Sequence, residues 1–323
     1  MNGDGYGDFL IGAPEDDHSI LILSVFLTTI DTGSVRCVSG ANGSTLWTVY
    51  GSAAGDELGF SLTNIGDVNG DGKADLAVGA PQRRAITPQP GYVRIASGAN
   101  GATIATIAGS GSDSEFGYAL APMHDVTGDG YSELIVGVPG YSSDRGRAVR
   151  VNSGTWTIGL SWFGVDAGER FGSAVCAIGD VNNDNKADVL LGAPSNDAVA
   201  SGGRVYCRSG VAATTLFTLS GTSGGEAFGT SVAPMMLDTS AAFAIGAPES
   251  TTRRRASPIA EWCESTLRRP RSPTQRSTAR APLPTSAPRS PILGITSAMV
   301  STTSRRAPRK TGSSSSGRGR RRW

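Results

Sequence analysis

Short runs in which apolar residues alternate with small or polar ones recur along the first three quarters of the chain. One set of four covers Gly59 to Ile65, Ala74 to Gly79, Tyr92 to Ser97 and Thr103 to Ala108, each run bounded by Gly, Asn, Asp or Ser. A period of two in runs this short predicts β-strands that turn one face to a core. The third and fourth runs flank Gly98-Ala99-Asn100-Gly101, where Asn-Gly supplies the positive φ of a tight hairpin. No helical period competes between 31 and 250, so the pattern predicts an all-β array of antiparallel strands.

The set is repeated. A Gly-Ala-Pro phrase or close variant closes at Pro14, Pro81, Pro139, Pro194 and Pro248, at spacings of 67, 58, 55 and 54. Ahead of the last four stands Leu58-Gly59-Phe60, Phe116-Gly117, Phe171-Gly172 or Phe228-Gly229. A third phrase follows four of the five, beginning Gly33-Ser34-Val35, Gly91-Tyr92-Val93, Gly146-Arg147-Ala148 and Gly203-Arg204-Val205. Four antiparallel strands per unit, in sheets too small to bury a face alone, predict the stacked blades of a β-propeller. A parallel β-helix needs a much shorter period.

Charge divides the chain. Residues 1–252 hold 12 Lys and Arg against 26 Asp and Glu, a balance of −14, and residues 253–323 hold 17 against 2, a balance of +15, so the net +1 is a cancellation. Glycine, at 44 residues, is about twice its usual share and is spent largely on the punctuation of the units. The apolar stretch from Ser19 to Ile30 is too short to span a bilayer, and no membrane span is expected. Met1-Asn2-Gly3-Asp4 has neither the basic nor the apolar region of a signal peptide.

The phrase from Phe171-Gly172 through Asp180, Asn182 and Asp184 to Gly192-Ala193-Pro194 resembles the FG-GAP repeat, the blade unit of integrin alpha subunits and of many bacterial surface and secreted proteins. The resemblance covers residues 2 to 248. It implies a propeller over residues 1–250, with units ending near 14, 81, 139, 194 and 248. It also implies an extracellular or cell-surface setting and a partner, protein or carbohydrate, on the face away from the cations.

The loops between first and second strands carry the candidate chemistry. Asp67, Asn69, Asp71, Lys73 and Asp75 stand at positions 1, 3, 5, 7 and 9 of one loop. Asp125, Thr127, Asp129, Tyr131 and Glu133 occupy them in the second, and Asp180, Asn182, Asp184, Lys186 and Asp188 in the third. Oxygen donors at 1, 3, 5 and 9, with a backbone carbonyl from position 7, suit a hard cation, and Ca²⁺ is expected over Mg²⁺ because Mg²⁺ holds its waters. Position 6 needs a sharp turn, met by Gly72, Gly130 and Asn185. Such runs are also ordinary turn formers, and the threefold copy with its position-9 carboxylate sets these apart. Asn2, Asp4, Tyr6 and Asp8 match positions 3 to 9 of an incomplete site, and the last unit, with only Asp238, is expected to hold no metal.

The remaining chemistry is bland. Of the two histidines, His18 and His124, His124 beside Asp125 reads as a turn residue, while Cys37, Cys176 and Cys207 read as buried thiols and Trp47, Trp156 and Trp162 as packing of the fourth strand or its edge. No catalytic motif is present, and no enzyme is expected. Variable loops at the end away from the cation loops, such as Gln82 to Pro90 and Gly140 to Asp144, offer a binding surface. The run Ile20 to Phe26 has no counterpart in the other units.

Residues 251–323 are rich in Arg, Ser, Thr, Pro and Ala, with no period and few large apolar residues, so a disordered tail is expected. One reading is a basic arm for nucleic acid, weakened by the scarcity of stacking aromatics. The favoured one is a frame-shifted translation. The opening inside a metal loop predicts a fragment whose first blade lacks a strand, with further blades in a longer parent chain. The sequence thus predicts a Ca²⁺-binding, non-enzymatic module of adhesion or ligand binding. The alternatives are an accessory propeller of an extracellular hydrolase or lectin, or a non-functional gene fragment.

Overall fold

The computed structural model describes residues 1–248 apart from 23–24, 30, 86–88, 112–113, 196–201, 223 and 238–239, and of these all side chains but those of 18–30 and 236–242. The basic tail and Asp238 lie outside the described residues.

The alternating runs are strands of successive small sheets. Blade 1 contains β1 (Phe9–Ala13); after it comes a separate hairpin of β2 (His18–Ile22) and β3 (Val25–Thr29), and then β4 (Ser34–Val38) and β5 (Thr45–Tyr50) complete the blade in the order β1-β4-β5. The apolar run that no other unit shares is thus the inserted hairpin. Blade 2 is β6 (Ser61–Gly66), β7 (Asp75–Ala80), β8 (Tyr92–Ala96) and β9 (Thr103–Ala108). Blade 3 is β10 (Ala119–Met123), β11 (Glu133–Val138), β12 (Arg147–Asn152) and β13 (Thr157–Phe163). Blade 4 is β14 (Ala174–Ile178), β15 (Asp188–Ala193), β16 (Arg204–Arg208) and β17 (Thr215–Ser220), and blade 5 is β18 (Ser231–Leu237) with β19 (Ser240–Gly246). Every pairing within a blade is antiparallel, as in Leu76 opposite Ala96 and Val78 opposite Arg94. Among the described residues, the architecture is an all-β propeller array with three four-stranded blades flanked by sheets of three and two strands.

Second strands read as unbroken apolar runs because both their faces are covered. All six residues of β7, β11 and β15 are buried. Within β11, Leu134, Val136 and Val138 join a core with Ile65, Ala77, Val93 and Ile95 of blade 2, while Ile135 faces Val189 and Leu191 of blade 4. Alternation inside one strand therefore assigns residues to two different inter-blade cores. Phe116, Phe171 and Leu58 are at most 1% exposed, and burying a side chain of that kind stabilises by roughly 1.5–3 kcal/mol.

The two glycines of each unit meet across the blade boundary. A Cβ on Gly12, Gly79, Gly137 or Gly192 would stand 2.0–2.1 Å from the carbonyl oxygen of Gly59, Gly117, Gly172 or Gly229 in the next blade. The second glycine of each pair also needs φ near +90°, from 89° at Gly172 to 94° at Gly229, a region that side chains rarely enter. Its amide donates back to its own blade, as Gly172 N does to Gly192 O at 2.9 Å. Parallel bridges Gly33 to Leu58, Gly91 to Phe116, Gly146 to Phe171 and Gly203 to Phe228 staple the third strand of one blade to the Phe-Gly turn of the next. The periodic punctuation in the sequence is thus the backbone contact between blades.

Helix is confined, among the described residues, to the turn Tyr141–Asp144, in which Ser142, Ser143 and Asp144 have φ of 50°, 61° and 57°. Left-handed backbone costs a residue with a side chain roughly 1–2 kcal/mol. Arg170 N donates to Asp144 O at 2.7 Å and Phe171 N to Arg145 O at 3.2 Å, which holds the turn in place. A segment this short carries no helical period to be read.

Candidate metal centre

The three loops lie between β6 and β7, β10 and β11, and β14 and β15, and each folds around its first carboxylate. Asp67 accepts from the backbone N–H groups of Gly70 at 2.7 Å, Asp71 at 3.2 Å and Gly72 at 2.8 Å. Asp125 does the same for Gly128 and Gly130, and Asp180 for Asp184 and Asn185. Position 6 takes the left-handed backbone the sequence requires, with φ of 77° at Gly72, 90° at Gly130 and 63° at Asn185. Donation from Gly72 above all holds the Asp67 carboxyl below its usual range, and donation from Gly128 does so for Asp125.

Position 9 differs from the rest. Asp75, Glu133 and Asp188 are fully buried, at 0% exposure, while Asp67, Asn69, Asp71, Thr127, Asp129, Asp180, Asn182 and Asp184 are exposed and Asp125 is half-buried. The buried carboxylate closes its own loop by accepting from position 2: Val68 N reaches Asp75 at 3.0 Å, Val126 N reaches Glu133 at 2.7 Å and Val181 N reaches Asp188 at 2.9 Å. In blades 2 and 4 it also holds the neighbouring hairpin, through Gly98 N to Asp75 at 3.0 Å and Gly210 N to Asp188 at 3.2 Å. The loops and hairpins therefore share one end of the blades. Burial pushes the Asp188 carboxyl up, against the backbone donors of Val181, Gly210 and Asn182 that favour its ionised form.

The three loops differ in where their oxygens point. In the second, ligand atoms of Asp125, Asp129 and Glu133 all lie within 4.8 Å of one another. Thr127 supports them, its hydroxyl donating to Glu133 Oε1 at 2.8 Å. In the first loop Asn69 Nδ2 donates to Asp75 at 3.4 Å, and Ser97 Oγ donates to Asp71 at 3.3 Å. In the third, Asn182 Nδ2 donates to Asp184 at 3.0 Å. The position-3 side chain thus donates to a carboxylate in all three loops, to position 9 in the first two and to position 5 in the third, and among them the second brings three carboxylates together. Carboxylate oxygens are the donors that hard divalent cations take. At position 7, Lys73 and Lys186 are half-buried and Tyr131 is 45% exposed.

The first, partial loop folds in the same register. Asn2 N donates to Asp8 at 3.0 Å, Tyr6 N to Asp4 at 2.9 Å and Gly40 N to Asp8 at 3.2 Å, while Asn2 Nδ2 donates to Asp4 at 2.7 Å. Tyr6 is 67% exposed.

At the opposite end stands a second acidic repeat that sequence reasoning passed over. Asp56 and Glu169, two residues before Leu58 and Phe171, are at most 2% exposed and accept from backbone N–H groups of the preceding loop, Ser52 at 2.7 Å and Val165 at 2.7 Å. Each also receives a tyrosine hydroxyl, that of half-buried Tyr92 at 2.9 Å on Asp56 and that of buried Tyr206 on Glu169. Burial, then the bond to Glu169, pushes the Tyr206 hydroxyl up to about 12. Arginines bridge the loops there, with Arg83 on Glu57 at 3.1 Å and Arg170 on Glu115 at 2.6 Å. The signal was present as an acidic residue at a fixed place before Leu58, Phe171 and Phe228, namely Asp56, Glu169 and Glu226. Every hydrogen-bonding group in these two pairs is matched by structural partners, which assigns them to holding loops.

The model of the family described as FG-GAP repeat matches residues 59–102, 116–152 and 171–206. These blades are FG-GAP repeats. Among curated proteins the chain is 34% identical to integrin alpha-V of Gallus gallus over 212 residues, 60% of this chain and 19% of that protein. It is 30% identical to integrin alpha-5 of Xenopus laevis over 42% of this chain and 14% of that protein, and 33% identical to integrin alpha-PS2 of Drosophila melanogaster over 45% and 11%. The FG-GAP region thus spans less than a fifth of each of these relatives. The solved structure of Sqt1 from Saccharomyces cerevisiae aligns with a TM-score of 0.44 at 12% identity, over 68% of this chain and 52% of that one, too slight a likeness to carry an argument. No helix among the described residues is long and apolar enough to cross a membrane.

Proposed function

We propose that this chain is a Ca²⁺-binding FG-GAP propeller module that serves adhesion or ligand binding outside the cell or at its surface. The observation that carries the reading is the convergence of Asp125, Asp129 and Glu133 in a loop whose layout recurs twice more. Asp67, Asn69, Asp71, Asp75 and the Lys73 carbonyl supply the first site. Asp125, Thr127, Asp129, Glu133 and the Tyr131 carbonyl supply the second, and Asp180, Asn182, Asp184, Asp188 and the Lys186 carbonyl the third. The partial loop with Asn2, Asp4, Tyr6 and Asp8 has fewer donors and binds more weakly or not at all. The cations stiffen one end of the blades, and a protein or carbohydrate ligand is read by the variable loops at the other, a division of labour the likeness to integrin alpha chains favours.

Calcium titration by calorimetry and thermal melts with and without EDTA test this. The expected result is binding with a melting temperature raised by Ca²⁺ and lowered by EDTA. With [Ca²⁺] at 100 times Kd, each independent site adds about 2.7 kcal/mol. Asp125→Asn removes the charge at the convergent loop and lowers the number of sites titrated by one. No heat of binding and no shift with EDTA overturn the assignment.

A further inference from the structure

The lysine at position 7 does not stay with its own loop. Asn64 and Ala74 of blade 2 line one open pocket with Gly3, Gly5 and Asp8 of blade 1. Lys73, beside Ala74, is half-buried and extends across this boundary: a Cβ built on Gly3 would stand 2.2 Å from Lys73 Nζ. The ammonium of the first loop therefore lies against the loop of the blade before it.

The boundary between blades 3 and 4 repeats the arrangement. Val126, next to Asp125 in the second loop, and Ala187, next to Lys186 in the third, are buried in one cluster, and Lys186 is half-buried beside it. Donation from Gly128 and Gly130 holds the Asp125 carboxyl below its usual range, and the charge of Lys186 acts in the same direction. Blade 3 breaks the series. There Tyr131 stands at position 7, 45% exposed, with a phenol in place of the ammonium.

We infer that Lys186 sets the Ca²⁺ affinity of the second loop from the neighbouring blade, position 7 being where each loop tunes the site before it. The inference rests on the Ca²⁺ reading above and adds a regulation to it. Asp125, Asp129 and Glu133 offer oxygens within 4.8 Å of one another, and like charges so close repel. A neighbouring ammonium eases that repulsion before a cation arrives and repels the cation afterwards, so both effects weaken binding. For a single and a double charge roughly 10 Å apart in water, Coulomb's law gives about a fourfold loss of affinity before salt screening. The first loop has Tyr131 in the corresponding place and carries no such loss. Two loops with nearly the same donors thus bind with different strength, and the difference lies outside both donor sets.

Calcium titration of the full chain by calorimetry at low salt tests this, the heat lost in Asp125→Asn marking the second site and the heat lost in Asp67→Asn the first. Lys186→Met is expected to tighten the second site about fourfold, while Lys186→Arg, which keeps the charge, holds the original Kd. The gap between these two variants is expected to close in about 1 M salt, where the screening length is roughly 3 Å. Tyr131→Lys is expected to weaken the first site by a similar factor. A second site of equal Kd in Lys186→Met and Lys186→Arg overturns the inference and leaves the Ca²⁺ reading standing. So does a weaker site in Lys186→Met, the mark of lost packing, or a gap that salt does not narrow. An unchanged first site in Tyr131→Lys also overturns it. No heat of binding in any chain overturns the Ca²⁺ reading, and this inference with it.

Discussion

A single methyl group is enough to test the blade boundary. Gly192→Ala places a Cβ 2.1 Å from the Gly229 carbonyl oxygen, and that oxygen is backbone, so the blades themselves must separate. The expected cost is more than about 2 kcal/mol, read as a lower urea midpoint, whereas Gly154→Ala, with open space around its Cβ, costs only the strain of its φ of 74°. The thiols give a second test at this scale. Burial pushes Cys176 up to about 11 and Cys207 up to about 12, with burial also raising Cys37. A raised thiol pKa keeps the protonated form through neutral and mildly alkaline pH, and the thiolate is the nucleophile. These three cysteines are expected to resist iodoacetamide at pH 8 and to react once the protein is unfolded in guanidinium. Mass spectrometry of the native, treated protein checks it, and rapid labelling of Cys207 counts against the buried strand position.

At the scale of the strand and loop, most of the fold was legible because its signals are local. The four runs from Gly59 to Ala108 became β6 to β9 with shifts of at most two residues at their ends, since alternation and Asn-Gly chemistry act within a few residues. The turns of the three candidate loops were legible for the same reason, with Gly72, Gly130 and Asn185 in the backbone region their position demanded. Three things were not legible. The run Ile20 to Phe26 forms a hairpin of its own, and a lone apolar stretch does not declare its partner. The two roles of position 9, ligand candidate and tether for the hairpin, depend on Gly98 and Gly210, which lie 23 and 22 residues away. The orientation that makes the second loop convergent depends on which oxygen each side chain offers, and spacing alone does not contain it. In the same loop the Thr127 hydroxyl stands where the other loops have an amide and donates to Glu133, beside the three converging carboxylates.

For the whole molecule, the repeated boundary between blades has a consequence in time. Each blade is held by its neighbours through a Phe-Gly staple and a shared core, and interaction terms of that kind make stability a property of position along the array. Among the described residues, blade 3 has four-stranded neighbours on both sides, while blades 1 and 5 contribute three and two strands. Native-state hydrogen exchange is therefore expected to be slowest in β11 and to quicken stepwise toward β1 and β19, with opening free energies that fall blade by blade. Equal protection across all five blades would mean a single cooperative unit instead. A graded profile would make the molecule a ratchet of partial openings, in which the outer described blades open and close again while blade 3 keeps its shape.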